Sequence, residues 1–308
     1  MPELRQFTQA RAWSGPLTAT VPREFVHRVA VAEILLTGWT RTAADRFTIT
    51  AQWPRAHQLH VSPDRSAYEP LLVAETVRQC GALLAHAAYE VPLGHQFVLQ
   101  ELRVATRPEH LAVGTAPAEP VIHITVAELR RRAGRPTALR YDAVVHLGGE
   151  QVATGGIAVT WANESVYRRL RAGRTADVGA LRLPRPPSPP LPADTVGRAL
   201  PTDVLLSPAA RPGRWRLRVD TAHPVFFDHP LDHVPGMLLL EAARQAVRAH
   251  GGEEGRAVAS FHAMFHQYAE LDQPVWMEVS GEGGADVQVI ALQGESKVFG
   301  CRVGLAAV

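Results

Sequence analysis

The sequence predicts an α+β fold in which one unit, a long apolar helix followed by an antiparallel meander, is used twice. Three observations predict it. Residues 69–86 (EPLLVAETVRQCGALLAH) and 234–251 (VPGMLLLEAARQAVRAHG) are both apolar, and both carry Glu-x-x-Arg-Gln. The motif falls at Glu75, Arg78 and Gln79 and again at Glu241, Arg244 and Gln245, each pair 166 residues apart. Such self-similarity marks a repeated structural unit. Each helix is followed by strand-like stretches rich in β-branched residues and separated by Gly, Pro or Arg-rich turns. Between the two units, residues 181–193 (LRLPRPPSPPLPA) hold prolines too densely for a helix or a central strand and read as an extended, semi-rigid spacer.

The elements follow in order. A first unit at residues 20–172 opens with VAEILLTGW and RFTITAQW as strands, then the helix begun by Pro70, a residue favoured at the first helical position. HQFVLQELRVAT, VIHITVAELR, TALRYDAVVHL and QVATGGIAVTW complete it. A linker spans 173–202. The second unit, 203–308, has RWRLRVDT, a helix opened by Pro235 and closed by Gly251, and then AVASFHAMFHQYAEL, VWMEVSG, ADVQVIALQ and KVFGCRVGLAA. A helix that is apolar nearly all round has to be wrapped by its sheet. That shape is a hotdog, and two in tandem make a double hotdog, which can supply its own pseudo-dimer as a monomer or assemble further as a homodimer.

Composition removes several classes of function. Hydrophobic residues make up 46% and charged residues 20% of 308 residues, which excludes a mainly disordered chain. Lys297 is the only lysine and sits in a strand-like stretch, so Schiff-base chemistry is set aside. Cys80 and Cys301 give neither a disulfide framework nor a zinc site, and Cys80, turned away from the Glu-Arg face, reads as a buried structural thiol. The N-terminal residues lack the apolar core of a signal peptide, and no apolar run approaches the ~18 residues of a membrane span, so a soluble cytosolic protein is expected. Arginines cluster at 130–135 and 168–174. A net charge of +2, with no aromatic interleaving or reader motif, argues against nucleic acid; docking of an acidic carrier protein and a plain solvated cluster both fit.

The chemistry concentrates in FFDHPLDHVPGMLLLEAARQ, residues 226–245. At ~100° per residue, Glu241, Arg244 and Gln245 project from one helix face. Ionised side chains interrupting an apolar helix form either a functional pair or a buried structural one. Asp228, His229, Asp232 and His233 lie in the loop leading to Pro235-Gly236. The free N–H groups and positive dipole of a helix start suit the polarising of an acyl carbonyl, and a histidine beside it suits a general base. In the first half Pro70 is followed by Leu71 rather than glycine, and the upstream loop offers His57 and His60 without the paired Asp-His pattern. The main catalytic loop is therefore expected in the second half.

The Phe226 to Gly236 stretch resembles the active-site signature of hotdog β-hydroxyacyl carrier-protein dehydratases, with a shorter loop that puts His229 6 residues before Pro235. The Asp-His-Pro-x-Asp-His-Val-Pro-Gly-Met run (Asp228 to Met237), VHRVAVAEILLTGW (26–39) and the doubled Glu-x-x-Arg-Gln are more similar to the A-factor biosynthesis hotdog family. That resemblance covers most of the chain beyond about residue 27, apart from the linker. It implies an acyltransferase joining a β-ketoacyl chain on acyl carrier protein to the hydroxyl of dihydroxyacetone phosphate. The phosphorylated ester leads to a butenolide and on to γ-butyrolactone or furan autoregulators. It further implies that Gly236 steadies the oxyanion and that His229 or Glu241 takes the hydroxyl proton, with Glu75 in the matching first-half position. Arg244 and Arg78 would hold the phosphate, with Gln245, Gln79, Asp228 and His233 beside the substrates. No metal or redox cofactor is called for. Other hotdog activities, a dehydratase or a thioesterase, and a non-catalytic acyl-binding or carrier-binding module are the alternatives.

Overall fold

The computed structural model describes residues 19–171, 187–251, 256–280 and 286–307. Its first half contains β1 (Leu36–Ala43), β2 (Arg46–Ala51), α1 (Pro70–Leu83), β3 (Gln96–Thr106), β4 (Val121–Arg132), β5 (Arg135–Leu147), β6 (Glu150–Ala162) and α2 (Glu164–Leu170). The second half contains β7 (Leu206–Ser207), β8 (Arg214–Leu217), α3 (Gly236–Ala249), β9 (Arg256–Phe265), β10 (Val275–Ser280), β11 (Asp286–Gln293) and β12 (Ser296–Ala307). The strands form one antiparallel sheet in the order β1-β2-β4-β5-β6-β3-β9-β12-β11-β10-β8-β7. Read outward from the β3–β9 seam, the second half repeats the strand order of the first. At that seam Glu101 pairs with Met264, Arg103 with His262 and Ala105 with Ser260, which fuses two six-stranded hotdogs into one surface.

The sheet wraps both long helices, and burial explains why their sequences are so apolar. Every residue of α1 except Arg78 is buried, and α3 is buried from Met237 through Val247. The strands alternate as half-buried strands should: on β2, Phe47, Ile49 and Ala51 turn inward while Arg46 faces out. Cys80 and Cys301 lie in this core, and burial raises both thiols, so they stay protonated and poorly nucleophilic.

Several local expectations shift. Pro70 is the first residue of α1, whereas Pro235 precedes α3 as its cap and Gly236 is the first helical residue. The stretch expected as the first strand begins with a 3-10 turn, Val31–Glu33, and pairs only from Leu36. Helix α2, whose first turn is capped by the Asn163 side chain accepting from the Val166 N–H, lacks the length and apolar periodicity that made the other helices visible. It carries part of the second arginine cluster. Arg171 there is buried and paired with Asp232 and Glu270, which corrects the reading of that residue as part of a solvated patch or docking site; Arg174 lies outside the described residues. Arg130, Arg131, Arg132 and Arg135 do stand exposed at the β4–β5 turn.

The linker also divides. Residues 172–186 lie outside the described residues, but from 187 the chain packs on the second half. The Leu191 N–H donates to the Leu206 carbonyl, and two 3-10 turns follow, Asp194–Val196 and Pro201–Asp203. The residues before 203 thus repeat the approach that residues 23–33 make in the first half.

Candidate active site

Each long helix holds its glutamate in a cage of arginine and glutamine. Around Glu75, Arg28 donates from Nη2 at 2.7 Å, Arg78 from Nε and Nη2 at 2.8 and 2.7 Å, and Gln79 from Nε2 at 2.8 Å. Around Glu241, Arg198 donates from Nε at 2.8 Å, Arg244 from Nε and Nη2 at 2.9 Å, and Gln245 from Nε2 at 2.8 Å. The outer partners repeat as well. Arg78 and Arg244 reach the carbonyls of Val26 and Val196, and Gln79 and Gln245 clip the backbones at Glu33–Leu35 and Asp203–Leu205. His57 faces Glu33 as His223 faces Asp203, both at 3.3 Å. Arg28 and Arg198 each follow a left-handed residue, His27 at φ 55° and Gly197 at φ 66°. Sequence reasoning missed both arginines; the Val-x-Arg shared by residues 26–28 and 196–198 was the signal available.

The Glu75 cage borders a large cavity through Arg28 and Arg78. A cavity of about 350 Å³ lies between the halves. Its polar end is formed by His27, Arg28, Arg78, His229, His233 and Tyr268, and its apolar walls include Ala82, Phe97, Leu99, Ile157, Met237 and Phe265. Arg28 and Arg78 share the Glu75 carboxylate, and Glu33 and Asp228 also lie near Arg28, so that end holds fixed charges of both signs. The Arg78 side chain is 20% exposed, against 3% for Arg244 and 0% for Arg198. On the other side, Arg248 stands where α1 has Ala82, and its Nε lies 2.8 Å from where a β-carbon on Gly197 would sit. Pro70 and Leu71 replace Gly236 and Met237 there. A bulky arginine and the lost glycine set the second position apart from the first.

The structure therefore regroups the expected residues. His229, His233 and Gly236 from the second half share the cavity with Arg78 from the first, and Glu75 lies one layer behind Arg28 and Arg78. Glu241 and Arg244 do not line it. Five residues along a helix carry Glu241 about 140° around the axis and ~7.5 Å beyond Gly236, so one helix cannot present both to one ligand. Burial alone would raise the Glu241 carboxyl, but Arg198 and Arg244 overrule it and hold it at about 2. The fully buried Glu241 is enclosed by its ion-pair partners, and neither it nor Arg244 borders this cavity, contrary to the expected grouping with Gly236. Gln79 and Gln245 do not border it either, and both N–H donors of each amide are used inside the protein. Asp228 fixes the loop: its carboxylate accepts from the Val29 and Ala30 N–H groups, at 2.5 and 2.8 Å, and so ties the second-half loop to the first half.

Gly236 and Met237 open α3, and their N–H groups precede its first intrahelical donors; Leu238 and Leu239 are the first to return to Pro235. The Phe265 ring lies 3.0 Å from where a β-carbon on Gly236 would sit, so glycine lets the helix start and the ring share this wall.

His27 adds an acceptor at the polar end. His86 Nδ1 lies 2.7 Å from the Val91 carbonyl, which can only accept, so His86 carries its proton there and offers Nε2 to His27 Nε2–H at 2.7 Å. This leaves the His27 lone pair on Nδ1. Burial, reinforced by Arg78, His86 and His229, pushes His27 down to about 3. Between pH 6.5 and 3 the unfolded chain binds a proton at this residue and the native state does not, so its stabilising contribution is lost as pH falls through that window. The melting temperature should decline between pH 7 and 5. In His27→Asn, which keeps a residue tolerant of the left-handed backbone, the decline should be shallower. An unchanged slope in that variant would show that His27 is not the group titrating.

The sequence profile of the A-factor biosynthesis hotdog domain matches residues 10–162 and 180–298. The chain is 45% identical over 293 residues to a 2-oxo-3-(phosphooxy)propyl 3-oxoalkanoate synthase of Streptomyces virginiae, covering 94% of this chain and 98% of the relative. A synthase of the same name from Streptomyces griseus is 40% identical over 270 residues, 88% of each chain. Among solved structures, an acyl-ACP thioesterase from Bacteroides thetaiotaomicron superposes with a TM-score of 0.52 at 11% identity, covering 84% of this chain and 98% of the other, a likeness of fold alone. The repeated cages, the shared cavity and these matches agree: the chain belongs to the A-factor biosynthesis hotdog family.

Proposed function

We infer that this chain transfers a 3-oxoacyl group from a thioester to the hydroxyl of dihydroxyacetone phosphate, forming a 2-oxo-3-(phosphooxy)propyl 3-oxoalkanoate. The name of its relatives describes that ester, a 3-oxo acid joined to the free hydroxyl of dihydroxyacetone phosphate. The observation that carries the reading on the physical side is the cavity between the halves, whose lining joins apolar side chains to the guanidinia of Arg28 and Arg78. The acyl chain lies along Phe97, Leu99, Ile157 and Met237. The phosphate sits against Arg78 and Arg28; their Nε and Nη2 groups are held by Glu75, so it meets chiefly Arg78 Nη1. The N–H groups of Gly236 and Met237 steady the oxyanion of the tetrahedral intermediate, and His229 lines the same polar end. Holding both substrates at once supplies the entropy of the encounter in advance.

In this reading the donor is an acyl carrier protein, the enzyme works in the cytosol, and a single chain is a complete catalytic unit. The product feeds a butenolide and then a γ-butyrolactone or furan signal. Intact-mass analysis of a 3-oxoacyl carrier protein incubated with the enzyme, with and without dihydroxyacetone phosphate, tests it. Loss of the acyl group only with acceptor, matched by the phosphorylated ester, is expected. Loss regardless of acceptor would identify a thioesterase, and an untouched thioester would reject transfer.

A further inference from the structure

We propose that His233, oriented by Asp232, is the general base that takes the proton from the attacking hydroxyl. The assignment rests on the ester-forming reaction proposed above. His233 lines the polar end of the cavity, two residues before the cap of α3, so it stands on the same wall as the Gly236 N–H. Its Nδ1 lies 2.7 Å from Asp232 Oδ1. A carboxylate can only accept, so the ring proton resides on Nδ1 and the lone pair on Nε2, the tautomer a base at this wall requires.

The support behind the pair is built from both halves. The Tyr167 hydroxyl, on α2, donates to both Asp232 oxygens at 2.8 and 2.9 Å, and Arg171 Nε reaches Oδ2 at 3.2 Å. Arg171 is itself fixed by a forked pair of 2.7 Å bonds to Glu270, and its guanidinium lies 4.4 Å from the Tyr268 ring centre. Tyr268 packs on the His233 ring at 4.7 Å. Burial alone would raise the Asp232 carboxyl, but the His233 and Tyr167 bonds and the Arg171 charge keep it at about 2, so it remains an anion beside the histidine. This network explains why Tyr167 and Arg171 turn inward although the rest of α2 is mostly exposed.

The other candidate bases lack this arrangement. The nearest carboxylate to His229 Nδ1 is Asp228 at 3.7 Å, beyond hydrogen-bond reach, and Asp228 is already engaged by two backbone N–H groups. His27 is too weakly basic to hold a proton near neutrality. Glu75 is enclosed by its arginines, and Glu241 does not reach the cavity. The charged and titratable groups around His233 are Asp232, Tyr167, Arg171, Glu270 and Tyr268 in its own network, and His229, His27, His266, Arg28 and Arg78 in the cavity lining.

The step balances without a further reactant. His233 Nε2 accepts the hydroxyl proton as the C–O bond forms, and the carbonyl oxygen becomes the oxyanion. On collapse the C–S bond breaks, and the imidazolium returns the proton to the leaving thiolate. Ester and free carrier thiol result, with His233 neutral again.

The test measures kcat and acceptor KM between pH 5 and 9 for the wild type, His233→Ala, His233→Gln and Asp232→Asn, using 3-oxoacyl carrier protein and dihydroxyacetone phosphate. His233→Ala is expected to lose roughly 10²–10⁴-fold in kcat with acceptor KM within about threefold. Added imidazole should restore part of that loss. Asp232 is a positioning residue, and Asp232→Asn should lower kcat and move the acidic limb of the profile to lower pH, because the carboxylate that favours imidazolium is gone. If His233→Ala does not fold, His233→Gln and Asp232→Asn carry the same comparison. A folded His233 variant within threefold of wild-type kcat would overturn the assignment. So would a slow variant deaf to imidazole together with an unshifted limb in Asp232→Asn. A wild-type enzyme that forms no ester would remove the reaction and the base together, whereas ester formation indifferent to His233 would remove the base alone.

Discussion

Alanine in place of Glu241 is expected to cost about 3–5 kcal/mol of stability, enough to lower the melting temperature by roughly 10 °C. The cause is what remains behind. Arg198 and Arg244 are 0% and 3% exposed, and both direct their guanidinia at this one carboxylate. Without it two guanidinia are left side by side in the interior, each deprived of the carboxylate they share. Replacing all three residues by apolar ones of similar volume should recover much of the loss, since a buried ion cluster offsets little more than its own desolvation. Thermal melts of Glu241→Ala and of the triple variant check both statements. At a temperature where Glu241→Ala is folded, its turnover should stay within about threefold of wild type. A wild-type melting temperature in the single variant would contradict the structural role.

Arg78→Ala is expected to act on the other side of the ledger, raising the KM for dihydroxyacetone phosphate by about 10–100-fold, the value of one or two charge-assisted hydrogen bonds to phosphate. Arg78 is the residue of α1 that is not buried, and it borders the cavity. Its removal leaves Glu75 still paired with Arg28 and Gln79, so stability should change far less than at Glu241. The phosphate is a remote handle bound alike in ground and transition states, so kcat should move little. The KM for the acyl donor should not move. Steady-state kinetics with each substrate varied in turn separates these outcomes, and an acceptor KM unchanged by Arg78→Ala would place the phosphate elsewhere.

The double hotdog was legible in the sequence because its causes are periodic. Two apolar helices interrupted at the same three positions, each trailed by alternating strands, leave few other ways to bury the same side chains. The site was half legible. His229, Gly236 and Arg78 do meet at one cavity, but the sequence paired Gly236 with Glu241 on the same helix, whereas the residues that share the cavity come from opposite halves. No local pattern reports which face of α3 looks across the β3–β9 seam, although the 140° turn between the two residues was computable in advance. Arg198 hid in a stretch whose prolines suggested a spacer, and Arg171 hid among surface-like arginines. His233 was visible as a residue, but its orientation depends on Asp232, Tyr167 and Arg171, which only the folded chain assembles.

Covalent fusion of the two halves has a consequence of its own. A dimer of identical hotdogs is bound by its rotation axis to keep two equal chambers, and any residue that improves one alters both. A tandem chain escapes that constraint after the first divergent substitution. Here Arg248 and Pro70 on one side, against Ala82 and Gly236 on the other, record the escape: the two copies no longer present the same surroundings to their cages. The expectation that results is one substrate cavity of this kind per polypeptide, rather than the equal pair a symmetric dimer must keep.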